Sequence, residues 1–525
     1  MQNDLLLRVL AVNEAGAFGR QHRFERVRSY ADFVEAVPLC NYARLAPFID
    51  RCRQGQTQAL FGPGQQIVQF ALTSGTTARA KYIPVTRESL RAYRRGWDIW
   101  GVKAISDHPE SYLRKVLQVS SPACEQHAAG GTPCGAISGL LAEQQRWVVR
   151  RFYATPLALA RIADPTARYY TIMRLAVEQD VGFISTANPS TLLALARTAA
   201  ERAEPLIRDI RDGTLDASLP VERPIRESLS LRRNSPRARE LEAILKSKGQ
   251  LLPRDYWRLS FLANWTGGTL GLYLPRLVEY YGSTPIRDIG LLASEGRLSI
   301  PMADNTPAGV LDVLSNFYEF VPEEEFNGVP DRDAREVLSG DFTVLQAAQL
   351  EKGRNYYVFL TNYAGLYRYN LGDLVRVADH VGTTPVIEFL SKGAHSSSLT
   401  GEKLTEKQVV DAVRDAAGDL GMAIETFILA PEWADPPCYR LYFEAAVPLP
   451  RPDVERLARL VDRRLGVSNL EYDGKRASDR LGSVQARQVA RHVLIERDEK
   501  LIQANQGRRE QFKHRFLYNK PLDLD

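Results

Sequence analysis

A chain of 525 residues is longer than one ordinary hydrophobic core supports, so two or more domains are expected. Its hydrophobic fraction of 44% and charged fraction of 25% are those of a globular protein and exclude a disordered one. The formal charge of +5 comes from 68 Lys plus Arg against 63 Asp plus Glu, interspersed rather than blocked, which offers at most a mild attraction for anions.

Cys40, Cys52, Cys124, Cys134 and Cys438 are odd in number and form no C-x-x-C pair, so neither a zinc knuckle nor a disulfide framework is expected. Met1-Gln2-Asn3-Asp4 has no basic leader character, and no apolar run reaches the ~18 residues of a membrane span. A cytoplasmic, monomeric protein without nucleic-acid or membrane partners is the expectation.

In chain order, the first strand pattern is Ile67–Thr73, followed by a loop rich in hydroxyls: Thr73-Ser74-Gly75-Thr76-Thr77, then Arg79 and Lys81. Bound polyphosphate needs close backbone N–H groups, short O–H donors and a cation, and this loop offers all three. It is not the Walker pattern, and alone it also reads as an exposed turn. Strands follow at Lys115–Val119 and Gly182–Thr186. A helix over Ser190–Arg211 puts Leu192, Leu195, Ala196, Ala199, Ala203 and Ile207 on one side, with Asn188-Pro189 as its start signal. Arg223–Arg239 reads as an exposed, arginine-rich segment lacking the aromatics of a single-strand nucleic-acid groove.

Asn264-Trp265-Thr266-Gly267-Gly268-Thr269 precedes a helix-like stretch, and a strand over Ile286–Ala293 then ends in Ser294-Glu295-Gly296. A carboxylate at a strand end beside glycine can ligate the Mg²⁺ that accompanies ATP, although an ordinary turn glutamate looks the same. Strands at Tyr356–Leu360, Leu374–Val377 and Val386–Leu390 come next. Asp373, after Gly372 and before an apolar strand, is suited to accept from both hydroxyls of a ribose. Helices over Lys407–Leu420 and Val454–Leu465 complete an α/β pattern. The strand-to-Ser/Gly transition near Leu390–Ser398 predicts a large domain over 1–390 and a smaller α/β domain over 391–525. Cys124 and His127, three apart, could form a nucleophile and base, but no orienting partner accompanies them.

These segments, in this order, resemble the signatures of the adenylate-forming (firefly luciferase-like) superfamily. They are closer still to the auxin-responsive Gretchen Hagen family of acyl acid–amido synthetases. Ala17-Phe18-Gly19, Phe33–Val37, Pro38–Tyr42, Pro47–Ile49, Ala187–Ser190, Phe317–Pro322, Gly401–Glu406 and Gln511–His514 extend the resemblance over nearly the whole chain. It implies an adenylation domain, a mobile C-terminal domain, and a ligase that adenylates a small carboxylic acid with ATP and Mg²⁺ before transfer to an amine such as an amino acid. By the same resemblance Thr73, Ser74, Gly75, Thr76, Thr77 and Lys81 serve the phosphates. Gly267 and Gly268 lie near adenine and the acyl carbon, and Glu295, beside Ser294, holds the metal and is catalytic. Asp373 binds ribose, with Tyr367 and Arg368 shaping that wall. Lys403 is the first candidate for a catalytic lysine from the small domain and Lys513 the second. Lys392 stands where the superfamily often has Arg, and it lacks Arg's planar, two-pronged contacts. Leu117–Ser121, Thr132–Gly135 and Trp265 are placed by analogy at the acid pocket. Delivery to coenzyme A or another thiol is the alternative acceptor chemistry, and a non-catalytic nucleotide-binding role is the alternative from another class.

Overall fold

Four short parallel strands, Lys115–Gln118, Val181–Ser185, Phe261–Ala263 and Ile286–Arg287, form one sheet in that spatial order. Their register puts Gln118 beside Ser185, Ser185 beside Ala263, and Ala263 beside Arg287. The carboxyl ends therefore align, and the chain leaves all four at one edge, where open α/β sheets bind ligands. The computed structural model describes residues 1–73, 81–268, 270, 274–327, 335–338, 340, 342–392, 396–397, 399, 402, 404–434, 436–477, 481–504, 512, 514–522 and 524.

A second, nine-stranded sheet contains Phe317–Pro322, Asn355–Asn362, Leu366–Val381 and Thr384–Lys392 as neighbours or near neighbours. A third sheet pairs Ile67–Thr73 antiparallel with Lys81–Thr86 and parallel with Pro133–Gly135. Between the layers runs the helix Arg87–Asp107. Thr86 caps it, its Oγ1 accepting from the Ser89 N–H, and it buries the stripe Leu90, Tyr93, Gly96, Trp100 and Ala104. These elements form a compact unit, Met1–Phe389. A second unit, Leu390–Asp525, packs helices Glu406–Asp419 and Arg451–Ser468 with a sheet of Ile424–Glu432, Cys438–Ala445 and Gln485–Gln488.

Three elements depart from the sequence-based expectation. The single helix expected over Ser190–Arg211 is two, Pro189–Glu201 and Ala203–Asp212, because Pro205 has no N–H to continue the ladder and its ring crowds the preceding turn. The strand expected over Ile286–Ala293 survives only at its ends, Ile286–Arg287 and Leu292–Ala293. Between them Gly290 takes φ +90° and the buried Asp288 side chain turns to bond neighbouring N–H groups. Within Arg223–Arg239 a helix forms at Arg223–Ser228. Arg226 and Arg237 there donate to backbone carbonyls of Leu215, Asp216, Leu219, Val177 and Tyr256 rather than lying free on the surface.

Candidate active site

Leu292–Ala293 and Gly296–Arg297 pair as a tight hairpin, so Ser294 and Glu295 form its tip. The Glu295 side chain is buried, and Tyr369 donates its hydroxyl to Oε1 at 3.3 Å. Asn362 Nδ2 donates to the Glu295 carbonyl at 2.7 Å and to Asn316 Oδ1 at 2.9 Å, while Asn316 Nδ2 donates to the Arg297 carbonyl at 2.8 Å. These amides hold the backbone on both sides of the carboxylate. Gly296 leaves room for that amide, since a Cβ there would meet Asn316 Oδ1 at 2.8 Å and displace it. Ser294 and Glu295 line one small cavity with Tyr93, Arg297, Asn316 and Asn362.

Tyr42 ties the base of the hydroxyl-rich hairpin to the stretch of chain that pairs with the Tyr369 strand. Thr73 and Lys81 pair across the two strands, and Lys81 Nζ lies 5.5 Å from the Tyr42 ring centroid. The Tyr42 hydroxyl accepts from the Tyr82 N–H at 3.0 Å. Burial, with smaller contributions from the Asp50 and then the Glu295 charge, pushes the Tyr42 hydroxyl up to about 12. Tyr369 is driven up likewise, by burial first and Glu295 second. Tyr42 thus meets the hairpin base, and Cys40, two residues before it, pairs with Tyr369, which reaches the acidic tip. Ser74, Gly75, Thr76, Thr77 and the Thr73 side chain lie outside the described residues.

Asp373 is on the same strand as Tyr369 and is buried. It does not stand just before a strand, as expected, but inside the long strand Leu366–Val381. There the pairing jumps from Phe359–Asn370 to Tyr357–Leu374, leaving Leu371–Asp373 as a bulge with Gly372 at φ +73°. Bulges re-aim side chains and favour a glycine in this conformation. The neighbouring strand, Thr384–Lys392, carries Phe389, and a Cβ on Gly267 would lie 3.9 Å from the Phe389 Cβ and 3.2 Å from the Pro307 Cβ. Gly268 takes φ +61°. The glycine pair therefore sits against the strand next to the one bearing Asp373.

Tyr367 and Arg368 are placed differently from the expectation that they shape a ribose wall. A second bulge, between the pairs Leu360–Tyr369 and Asn362–Leu366, turns both inward, with Arg368 at φ +45°. The Tyr367 ring stacks on Phe18 at 4.8 Å and is fully buried. Arg368 Nε donates to both oxygens of buried Glu319 at 3.0 Å, and Nη1 donates to the Val37 carbonyl at 2.9 Å. Both side chains are committed to the core, so neither is carried forward as a nucleotide contact.

Lys403, Lys513 and the Lys392 side chain lie outside the described residues. Elsewhere in the unit Leu390–Asp525, Glu406 Oε1 accepts from the Phe516 N–H at 2.6 Å. Glu402 is buried and accepts from the Tyr439 hydroxyl at 2.5 Å. Cys124 is exposed, its Sγ 3.9 Å from His127 Nε2. Near the proposed acid pocket, Gly135 presses against the backbone of Ala123 and Gly139 against those of Ser121 and Ala123.

Sequence reasoning missed Tyr42, Tyr369, Asn316, Asn362 and Asp288. Only Asp288 left a signal, a charged residue followed by Gly290 inside an otherwise apolar strand pattern.

A large unit presenting aligned strand ends, a hydroxyl-rich hairpin and an acidic tip, with a smaller α/β unit after it, defines the class structurally. The GH3 family N-terminal domain matches residues 1–286, its central domain 309–392 and its C-terminal domain 407–521. The chain belongs to the GH3 family. It is 24% identical to a jasmonoyl–L-amino acid synthetase, GH3.5, of Oryza sativa subsp. japonica, over 93% of this chain and 87% of that one. It is 23% identical to an indole-3-acetic acid-amido synthetase, GH3.10, of Arabidopsis thaliana, over 94% and 88%. The solved structure of a GH3.15 acyl acid amido synthetase superposes with a TM-score of 0.83 at 18% identity, covering 98% of this chain and 91% of that one. Among the described residues no helix is long and apolar enough to cross a membrane.

Proposed function

We propose that this protein is an acyl acid–amido synthetase. A carboxylate oxygen of a small acid attacks the α-phosphorus of ATP, the bond to pyrophosphate breaks, and an acyl-adenylate remains. An uncharged amine, an amino acid by analogy with the relatives' names, then attacks the acyl carbon. The carbon–oxygen bond to AMP breaks and the nitrogen gives up a proton.

The observation that carries the reading is the placement of the hairpin base and Glu295 around one strand pairing: Tyr42 bonds the hairpin at Tyr82, Cys40 two residues earlier pairs with Tyr369, and Tyr369 bonds Glu295, in a chain matching the GH3 family over most of its length. In this reading the 73–77 loop and Lys81 receive the phosphates, and the backbone of Gly267 and Gly268 faces adenine and the acyl carbon. Asp373 accepts from the ribose hydroxyls, and Lys403 or Lys513 adds positive charge from the C-terminal unit. Catalysis then rests on alignment and fixed charge rather than on a side-chain nucleophile.

Glu295 suits Mg²⁺ by its chemistry, a hard oxygen donor held in place by a tyrosine hydroxyl. Among the described residues no cluster of three His, Cys, Asp or Glu side chains forms a metal cage, so such an ion would lean on phosphate oxygens for its remaining ligands. Bound there, it would offset charge on the non-bridging phosphate oxygens.

The test is acid-dependent ATP–pyrophosphate exchange over a panel of carboxylic acids, followed by product mass with amino acids or coenzyme A offered. Exchange with some acid and an amide product are expected. A thioester product would replace the acceptor assignment, and no exchange with any acid by folded protein would refute the enzyme reading.

A further inference from the structure

The loop that carries Gly267 and Gly268 is not held by its own strand alone. Asp288, just beyond the end of the adjacent strand Ile286–Arg287, reaches across and accepts from Thr266 twice, from N at 2.6 Å and from Oγ1 at 2.7 Å, both on Oδ2. Its other oxygen accepts from the Gly290 N–H at 2.7 Å. Trp265 closes the link from the opposite side, donating its indole N–H to the Gly290 carbonyl at 2.8 Å, while the Trp100 indole donates to the Asp288 carbonyl at 2.8 Å. One carboxylate, 3% exposed, therefore joins two loops at the carboxyl edge of the parallel sheet. The donor it fixes most tightly, the Thr266 N–H, lies one residue before the glycine pair.

We infer that Asp288 is a positioning residue that sets the backbone of Gly267 and Gly268 against the acyl-adenylate. The inference rests on the proposed function for the role of those glycines, and on geometry alone for the link itself. Two oxygen acceptors are required, because two backbone N–H groups, which cannot be turned away, point at different oxygens of the carboxylate, with the Thr266 hydroxyl as a third donor. An asparagine there presents one oxygen and one NH₂, so one of the two backbone N–H groups loses its acceptor whichever way the amide is turned.

Burial, opposed by the bonds from Thr266 and Gly290 and by the Arg297 charge, raises the Asp288 carboxyl to about 6. Arg297 in turn is influenced by Tyr93 and Asp312 as well as Asp288, and burial lowers its guanidinium to about 10. The Asp288 carboxylate thus gains a proton within a range that an enzyme assay can reach.

The experiment uses the full chain and its Asp288→Asn variant, with exchange rates at saturating ATP and acid measured from about pH 8 down to about pH 5. The wild type is expected to lose rate with a midpoint near 6. Asp288→Asn is expected to run at least about tenfold slower at the upper end and flat through that window. Indole ¹⁵N–¹H spectra of both proteins, with the Trp265 signal assigned by Trp265→Phe, read the link without reference to activity. That signal is expected to titrate in the wild type and to stay fixed in Asp288→Asn. Asp288→Asn matching the wild type in rate and pH profile, or a Trp265 signal at the same position in both proteins, overturns the inference. If the wild type exchanges with no acid, it is the proposed function that fails, and the difference in the Trp265 signal between wild type and Asp288→Asn still decides whether the link exists.

Discussion

Arg368→Met separates a buried structural arginine from a nucleotide contact. The Arg368 side chain is 4% exposed and its partner Glu319 1%, with Nη2 at 2.8 Å and Nε at 3.0 Å from the carboxylate. Methionine fills much of the same volume but leaves Glu319 as a buried charge supported by little more than the Tyr30 hydroxyl, which donates at 2.8 Å. Removing one partner of such a pair costs about 3–5 kcal/mol, because the remaining charge loses its compensation in a poorly polarisable interior. The unit Met1–Phe389 unfolds with an entropy of ~2.1 cal/mol/K per residue, which amounts to roughly 0.8 kcal/mol/K. The Tm should therefore fall by about 4–6 °C. The backbone adds to the demand, since Arg368 holds φ +45°, a conformation that L-residues avoid unless the surroundings enforce it. Differential scanning fluorimetry and urea unfolding measure the loss, and the KM for ATP, measured well below the new Tm, should stay within about twofold of the wild type. A Tm within about 1 °C of the parent together with a tenfold or larger rise in that KM would refute the reasoning and restore Arg368 to the ribose wall.

Three further outcomes follow from the same geometry. Asp373→Ala should raise the KM for ATP in pyrophosphate exchange, and Glu295→Ala should cut the exchange rate by at least about a hundredfold with near-UV circular dichroism preserved; two variants exchanging like the parent would show the site assignment to be wrong. Gly296→Ala should push Asn316 away from its place and lower exchange by about tenfold or more, even though only a methyl group is added. The Asp288 carboxyl is raised in the fold, so it binds its proton more tightly folded than unfolded, and its contribution favours the fold at acid pH and is lost as pH rises from 3.8 through about 6. The stability difference between wild type and Asp288→Asn should shift against the wild type across that window, on the order of 3 kcal/mol, and chemical unfolding at several pH values measures it.

Hydrophobic period and turn chemistry made much of the architecture legible before any coordinates. Ile67–Thr73 is a strand with the expected bounds, and the helices expected over Lys407–Leu420 and Val454–Leu465 appear as Glu406–Asp419 and Arg451–Ser468. These are signals carried within a dozen residues, where apolar spacing and capping act through neighbours in the chain. Glu295 and Asp373 stand out in the sequence as candidates, each a charge beside a glycine next to an apolar run, and both are buried in the fold.

What the tertiary structure decided is where side chains point and which loops hold one another. Tyr367, Arg368 and Asp373 occupy one strand, yet two bulges send the first two into the core and leave Asp373 at a separate irregularity. A bulge depends on the partner strand's register, which a sequence window does not contain. Asp288 interrupts an apolar pattern only because Thr266, twenty-two residues earlier, supplies donors across a parallel sheet. Local pattern determines which elements form. The long-range pairing of buried polar groups, which must find partners wherever the fold brings them, determines how those elements are aimed at the site.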